Sequence, residues 1–215
     1  MFKLIRFILF LLTLAVLPFI ALIRVAVYAH TEYHYSAYTS LGIGVISVAV
    51  LVFMYFTIIH RWITGRIGDY AGIKRRSFIA ILIVSLYSFH ALFFLSSDHT
   101  KSNQVAKEFT QIHPILRLST STLAYIDKGL IMTDAERVPE DYRKMGLPTN
   151  KASLHYRQAD GYVYAIDIRV NHRSEINSAL ATLYFRMMGL RTLRHGGTGD
   201  HLHISLFNHD RPYAK

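Results

Sequence analysis

The stretch Gly189–Phe207, GLRTLRHGGTGDHLHISLF, predicts two short β-strands joined by a turn at Gly196–Gly199. Side chains alternate along a strand, so His201, His203 and Ser205 share one face of the second strand. The opposite face supplies the apolar core with Leu202, Ile204 and Leu206. The two imidazoles therefore face a cleft or solvent, where both can reach the same small site.

A second strand, GYVYAIDIRV at residues 161–170, carries a carboxylate within an apolar run. Asp167 needs a partner there, because an unpaired buried charge is costly. His155 lies on the approach to this strand. One Asp with two or three His from adjacent strands suits a catalytic zinc ion, which uses three protein ligands and keeps a position for water. Zinc lowers the pKa of that water to about 7.

Two simpler interpretations of these residues stay open. His201 and His203 could lie on a wet sheet face while Asp167 pairs with Arg169 or Arg194. Asp160, in the turn before the strand, could replace His155 as a ligand. His172, His195 and His209 are interpreted as surface or turn residues.

The rest of residues 98–215 predicts helices around these strands. Two short helices are expected at 102–113 and 114–127, a strand at 129–135, and a two-turn helix that begins at Pro139. Ser174 caps a further helix, closed by Gly189. Its apolar stripe consists of Ile176, Leu180, Leu183, Tyr184 and Met187. The predicted fold class is α+β, a small antiparallel sheet with helices on one side.

The first 97 residues are predicted to form a membrane anchor. Charge-free runs at 7–23, 38–59 and 77–97 are each long enough, or nearly so, to cross the hydrocarbon core as a helix. The first run could be a cleaved signal peptide, with a weak site near Ala29, but an uncleaved anchor is favoured. The predicted domains are the anchor at 1–97, a helical connector at 98–128 that forms a stalk and packs on the domain, and a small sheet domain at 129–215 that carries the candidate zinc site.

The net charge of +10 is largely a topology signal. Residues 1–97 contribute +6 of it, and the loop at 60–76 alone holds five Arg and Lys. The positive-inside rule places this loop in the cytoplasm and residues 98–215 outside the cytoplasmic membrane. A nucleic-acid partner is not expected. With no cysteine in the chain, a metal can be held only by His and carboxylate side chains.

Three motifs together resemble the D-alanyl-D-alanine carboxypeptidase and dipeptidase group of zinc peptidases, relatives of lysostaphin-type endopeptidases and of the hedgehog fold. They are Ser153-Leu-His155, Gly161-x-x-x-Ala165-x-Asp167 and His201-x-His203. The resemblance implies the hedgehog-related fold of that peptidase group, and it implies cell-wall peptides as substrates. It also implies zinc ligation by His155, Asp167 and His203, and a catalytic role for His201.

The resemblance extends to one arginine and has one departure. The segment TDAER at 133–137 resembles the family's SGYR, so Arg137 is expected to grip a peptide's terminal carboxylate through two hydrogen bonds. The family places six residues between its first His and its Asp, whereas eleven separate His155 from Asp167. A longer hairpin could absorb the difference. The similarity covers roughly residues 130–206.

The resulting hypothesis is a membrane-anchored zinc metallopeptidase of the inner membrane that acts on peptidoglycan beside a D-amino acid. One alternative is a non-catalytic extracytoplasmic module that binds cell wall or protein. A second is a two-histidine phosphoesterase, for which His203-Ile-Ser205-Leu206 is one motif and His172-Arg-Ser174-Glu175 an imperfect second.

Overall fold

The computed structural model describes residues 2–144, 146, 148–196, 199–211 and 214. Three long helices form its N-terminal part: α1 (Phe2–Tyr33), α2 (Ala37–Thr64) and α3 (Tyr70–Phe93). Each is long and apolar enough to cross a membrane, as predicted. The third begins earlier than its charge-free run, because Asp69 caps it and Lys74, Arg75 and Arg76 are helical. Three candidate spans mark the chain as a membrane protein.

The first two helices pack closely through small residues. A stripe of α2 with Ala37, Ser40 and Gly44 is buried. A Cβ atom added at Gly44 would lie 2.6 Å from the backbone oxygen of Leu22 in α1. Glycine thus lets the two backbones approach, as is common between membrane helices.

The remaining chain is an α+β unit, as predicted. Its helices are α4 (Asn103–Glu108), α5 (Pro114–Ile126), α6 (Pro139–Lys144) and α7 (Glu175–Met187), and its strands are β1 (Met132–Asp134), β2 (Ala165–Arg169), β3 (Arg191–His195) and β4 (His201–Ser205). The strands form one antiparallel sheet in the order β1-β2-β4-β3. The β3–β4 hairpin is confirmed, although Gly197 and Thr198 of its turn lie outside the described residues.

Strand β2 is shorter than the strand predicted at 161–170, because it begins only at Ala165. Before β2, Val163 exchanges backbone hydrogen bonds with Gln111 and His113. The Tyr164 N–H bonds instead to the carbonyl of Leu154. The backbone of Val163 and the N–H of Tyr164 thus bond to segments outside the sheet, while the Tyr164 carbonyl accepts from Leu206 N just after β4.

Helix α5 is a core helix rather than a stalk. Every residue from Pro114 to Ala124 is buried. The helix contacts α1, α2 and α3 on the membrane side and α7 on the sheet side. Buried side chains such as Ile23 of α1, Ile115 of α5 and Ile166 of β2 belong to one continuous apolar core.

The apolar stripe predicted on α7 exists but faces away from this core. The helix buries the opposite face, through Ser178, Ala181 and Phe185. Of the five stripe residues, Ile176, Leu180, Leu183 and Met187 are between 46% and 72% exposed, whereas Tyr184 is partly buried against the core. Helix α7 contacts β3 and β4, and its buried face combines the small residues Ser178 and Ala181 with the large side chain of Phe185.

Candidate metal centre

His155 reaches the sheet on a loop that backbone hydrogen bonds hold in place. The neighbouring Leu154 carbonyl accepts from Tyr164 N at 2.8 Å, and the His155 carbonyl accepts from Arg137 N at 2.9 Å. Residues 156–163 project as a turn, closed by a bond from Gln158 N to Tyr162 O, with Gly161 at φ +86°. Eight of the eleven residues between His155 and Asp167 therefore lie in this turn.

The register of the sheet places the other two predicted ligands side by side. Strand β2 pairs with β4 so that Asp167 lies directly opposite His203. The carboxylate Oδ1 of Asp167 is 2.9 Å from Nδ1 of His203 and 3.2 Å from Nε2 of His155. The two imidazole nitrogens are themselves 3.2 Å apart. Three residues from distant parts of the sequence thus present one atom each to a common point.

The spacing of these atoms suits a small tetrahedral cation. Ligand atoms about 2.0–2.1 Å from a tetrahedral ion lie roughly 3.3 Å from one another. The separations of 2.9, 3.2 and 3.2 Å among Asp167, His155 and His203 are close to that value. This buried group could therefore hold a metal ion.

Proton counting also favours a cation at this point. The Nδ1–H of His155 donates to the Ala135 carbonyl at 2.7 Å, so the neutral imidazole keeps a lone pair on Nε2. That lone pair faces the carboxylate of Asp167. If both imidazoles are neutral, the three close contacts among His155, Asp167 and His203 can share only one proton, the one on Nδ1 of His203. No described group bonds to Nε2 of His203, so that nitrogen can carry the proton and leave Nδ1 as a ligand.

Asp167 is held in its ionised form. Burial opposes ionisation, but hydrogen bonds and positive charge from His155 and His203, when these imidazoles are protonated, outweigh it and keep the pKa of this carboxyl well below its usual range; a cation between them would act on Asp167 in the same direction. A buried carboxylate that stays charged is what a cation site requires.

Arg137 contacts the outer oxygen of the same carboxylate. Its Nη2 donates to Asp167 Oδ2 at 2.8 Å, and its Nε donates to Asp134 Oδ2 at 2.6 Å. The guanidinium thus fixes the orientation of Asp167 and directs Oδ1 toward the imidazoles. Two of its donors are used by protein carboxylates, and its expected grip on a substrate carboxylate stays a prediction.

His201 lies beside the cluster without joining it. The Nδ1–H donates to the Gly199 carbonyl at 2.7 Å, which leaves a lone pair on Nε2 of the neutral ring. That Nε2 is 3.6 Å from Asp167 Oδ2, and the side chain is 29% exposed. His201 therefore offers an accessible proton acceptor next to the buried cluster.

Two further residues lie near the site: His195, which was predicted to be a surface or turn residue and is exposed, and Glu108, which was not predicted. The ring of His195 stacks on that of His201 with centroids 4.9 Å apart, because the hairpin pairs the two positions. The hairpin register could have indicated this pair. Glu108 lines the cleft from α4, and no sequence pattern indicated it. Burial, followed by the charge of Asp134, raises the pKa of the Glu108 carboxyl.

A polar cleft of about 550 Å³ opens over the site. Asp167 and His201 lie on its wall together with Arg137. The remaining lining carries charges of both signs, among them Lys101, Arg169, Glu108, Asp134 and Asp200. The cleft gives a polar ligand access to the side of the cluster that faces His201.

The alternative pairings predicted for these residues are not those of the structure. Arg194 pairs with Glu175 and Asp200, so the arginine partner of Asp167 is Arg137. Asp160 accepts hydrogen bonds from Tyr162 N and the Tyr164 hydroxyl and does not join the described metal-binding group.

Comparison with protein-family models, with curated proteins and with solved structures finds no match to this chain. Function is therefore inferred from the geometry of the site and from the resemblance of its motifs.

Proposed function

We propose that the chain is a membrane-anchored zinc metallopeptidase that cleaves peptidoglycan peptides at a bond next to a D-amino acid. One observation carries the proposal. Nε2 of His155, Oδ1 of Asp167 and Nδ1 of His203 converge within 3.2 Å of one another beside an open polar cleft.

The donor set favours zinc among the common divalent ions. Two imidazole nitrogens and one carboxylate oxygen suit zinc, whereas Mg²⁺ and Ca²⁺ prefer oxygen ligands alone. His155, Asp167 and His203 would hold the ion. A bound zinc ion supplies a water activated at neutral pH and polarises a peptide carbonyl.

The residues around the site fit proton transfer and positioning. His201 can take a proton at Nε2 and return it to the leaving amine, because its Nδ1–H is already engaged by Gly199. Arg137 holds the carboxylate of Asp167 in place through Oδ2. The mixed charges of the cleft suit a peptide, which presents carboxylate and amine groups together.

The substrate class and the compartment rest on two further arguments. The preference for a D-amino acid comes from the motif resemblance. The basic residues at the junction of α2 and α3, among them Arg61, Arg66 and Lys74, support placement of the sheet domain outside the cytoplasmic membrane, where peptidoglycan is found.

A non-catalytic module with a structural metal is the second candidate function. The side chains of His155, Asp167 and His203 are only 2%, 4% and 9% exposed. Structural zinc sites are closed, whereas catalytic sites keep an open position. The two-histidine phosphoesterase alternative has less support, because Ser174 caps α7 and His172 lies at φ +66°, so the second motif is not on a strand.

Metal analysis of the full chain in detergent tests the proposal first. We expect about one zinc ion per chain, held by three protein ligands. Asp167→Asn should lose the metal, while Asp160→Asn, a matched change outside the cluster, should keep it. A folded wild-type chain that binds no zinc would overturn the proposal.

A cleavage assay on purified muropeptides then separates the two candidate functions. His201→Gln should keep its zinc and lose most of the turnover, typically 10²–10⁴-fold for a general acid–base group. Zinc binding without any cleavage by the wild-type chain would instead establish the non-catalytic module.

A further inference from the structure

An apolar groove of about 980 Å³ runs between the membrane helices and the sheet domain. Its membrane side is formed by α1 and α3, through residues such as Phe19, Phe89 and Phe93. Its other side is formed by the end of α5 and by Leu180, Leu183 and Met187 of α7. The volume is at the upper end of the range of roughly 300–1,000 Å³ found for ligand sites.

Each polar side chain that lines this groove makes a hydrogen bond within the protein. His90 Nδ1 bonds to the Tyr125 hydroxyl at 2.6 Å, and the Tyr87 hydroxyl bonds to that of Thr122. The Tyr184 hydroxyl donates to the Ser119 carbonyl at 2.8 Å. The wall that remains is hydrocarbon, which water does not stabilise and an apolar ligand does.

The groove is continuous with surface that the bilayer already covers. Phe89 and Phe93 are exposed on α3, one of the candidate spans, so in a membrane they face lipid. The exposed stripe of α7 and Ile126, at the end of α5, extend the same apolar surface onto the sheet domain. An apolar stripe turned outward is costly in water but stabilising at a membrane surface.

We propose that α7 lies on the bilayer and that the groove behind it holds an acyl chain of a membrane phospholipid. Helix α7 is then a second membrane contact besides the three spans, and it fixes the height and tilt of the sheet domain over the lipid. Neither statement depends on the metal or on peptidase activity.

Site-specific fluorescence in nanodiscs of phosphatidylcholine tests this proposal. The chain has no cysteine, so Leu180→Cys and Ala179→Cys each give one labelling position in the full-length protein. Both positions are exposed on α7, but Leu180 lines the apolar groove, whereas Ala179, about 100° away around the helix, lies near Glu175 and Arg194. Phe89→Cys, on a span, provides the lipid reference.

Phospholipid that carries a nitroxide on its acyl chain should quench the probe at 180 as fully as the probe at 89. It should leave the probe at 179 largely unaffected, while aqueous iodide should give the reverse order. Equal iodide quenching at 180 and 179, with none from the lipid, would overturn the proposal. Dipolar coupling between spin labels at 180 of two chains would also overturn it, since the stripe would then bind a second copy.

Discussion

At the scale of single residues, Asp167 organises the candidate site. One carboxylate oxygen faces His155 and His203, and the other accepts from Arg137. The sequence predicted that this buried carboxylate needs a partner, but it offered Arg169 or Arg194 as candidates along with the histidines. Only the folded chain shows that Arg137 is the arginine, because its position depends on a loop that bonds to His155.

The first prediction concerns Arg137 as a positioning residue. Arg137→Gln should weaken zinc binding by about 10–100-fold, because groups that orient a metal ligand typically contribute that much. Competition with a chromophoric chelator, on the full chain in detergent, measures the change. Arg157→Gln is the matched control, since that guanidinium pairs with Glu136 at a largely exposed position. Unchanged zinc affinity in Arg137→Gln would contradict this role and leave only substrate binding for the arginine.

At the scale of elements, patterns in the sequence predicted where helices and strands lie better than they predicted which elements pack against one another. Leu202, Ile204 and Leu206 are buried, as alternation in β4 predicted, but His203 and Ser205 on the other face are buried as well, so of the two imidazoles only that of His201 is partly exposed. The stripe on α7 was correct as a pattern, but periodicity states which residues share a face and not what medium that face meets. In a chain with membrane helices, an apolar face can either pack in the protein core or face lipid.

The second prediction concerns the contact between α1 and α2. Gly44→Ala should destabilise the protein by about 1–3 kcal/mol, because its Cβ would press on the backbone oxygen of Leu22. Gly42→Ala, on the same helix with no atom within 4 Å of the added Cβ, should be neutral or slightly stabilising. Thermal unfolding in one detergent compares the two variants. Equal melting temperatures would contradict this prediction, because they would show that α1 and α2 can move apart at Gly44 without a loss of stability.

At the scale of the whole molecule, the anchor and the sheet domain share one core. Leu22, Ile23 and Ala26 of α1 are fully buried in the same apolar cluster as α5 and the sheet. Position 189 illustrates the contact, because a Cβ atom added there would meet Arg24 and Val27 of α1. The predicted domain boundary at residue 97 therefore divides the sequence at a place where packing is continuous.

The third prediction is that residues 98–215 are unstable without the helices. Removing α1–α3 exposes the membrane side of α5, and we expect the loss to be comparable with the stability of a small domain, about 5 kcal/mol or more. Melting temperature and zinc content of the piece, compared with the full chain, measure this. A full chain nicked in the exposed loop between α2 and α3 keeps every helix and should behave like the intact protein. An isolated piece as stable as the full chain would refute the shared core.

The sequence by itself determined the three spans, the α+β class and the alternation that puts His201 and His203 on one strand face. These follow from composition and periodicity, which act over neighbouring residues. The tertiary structure decided the rest: how His155 reaches Asp167 across eleven residues, which arginine holds the carboxylate, and which way α7 turns its apolar side. Each of these depends on contacts between segments far apart in the chain, and local patterns carry no information about such distances.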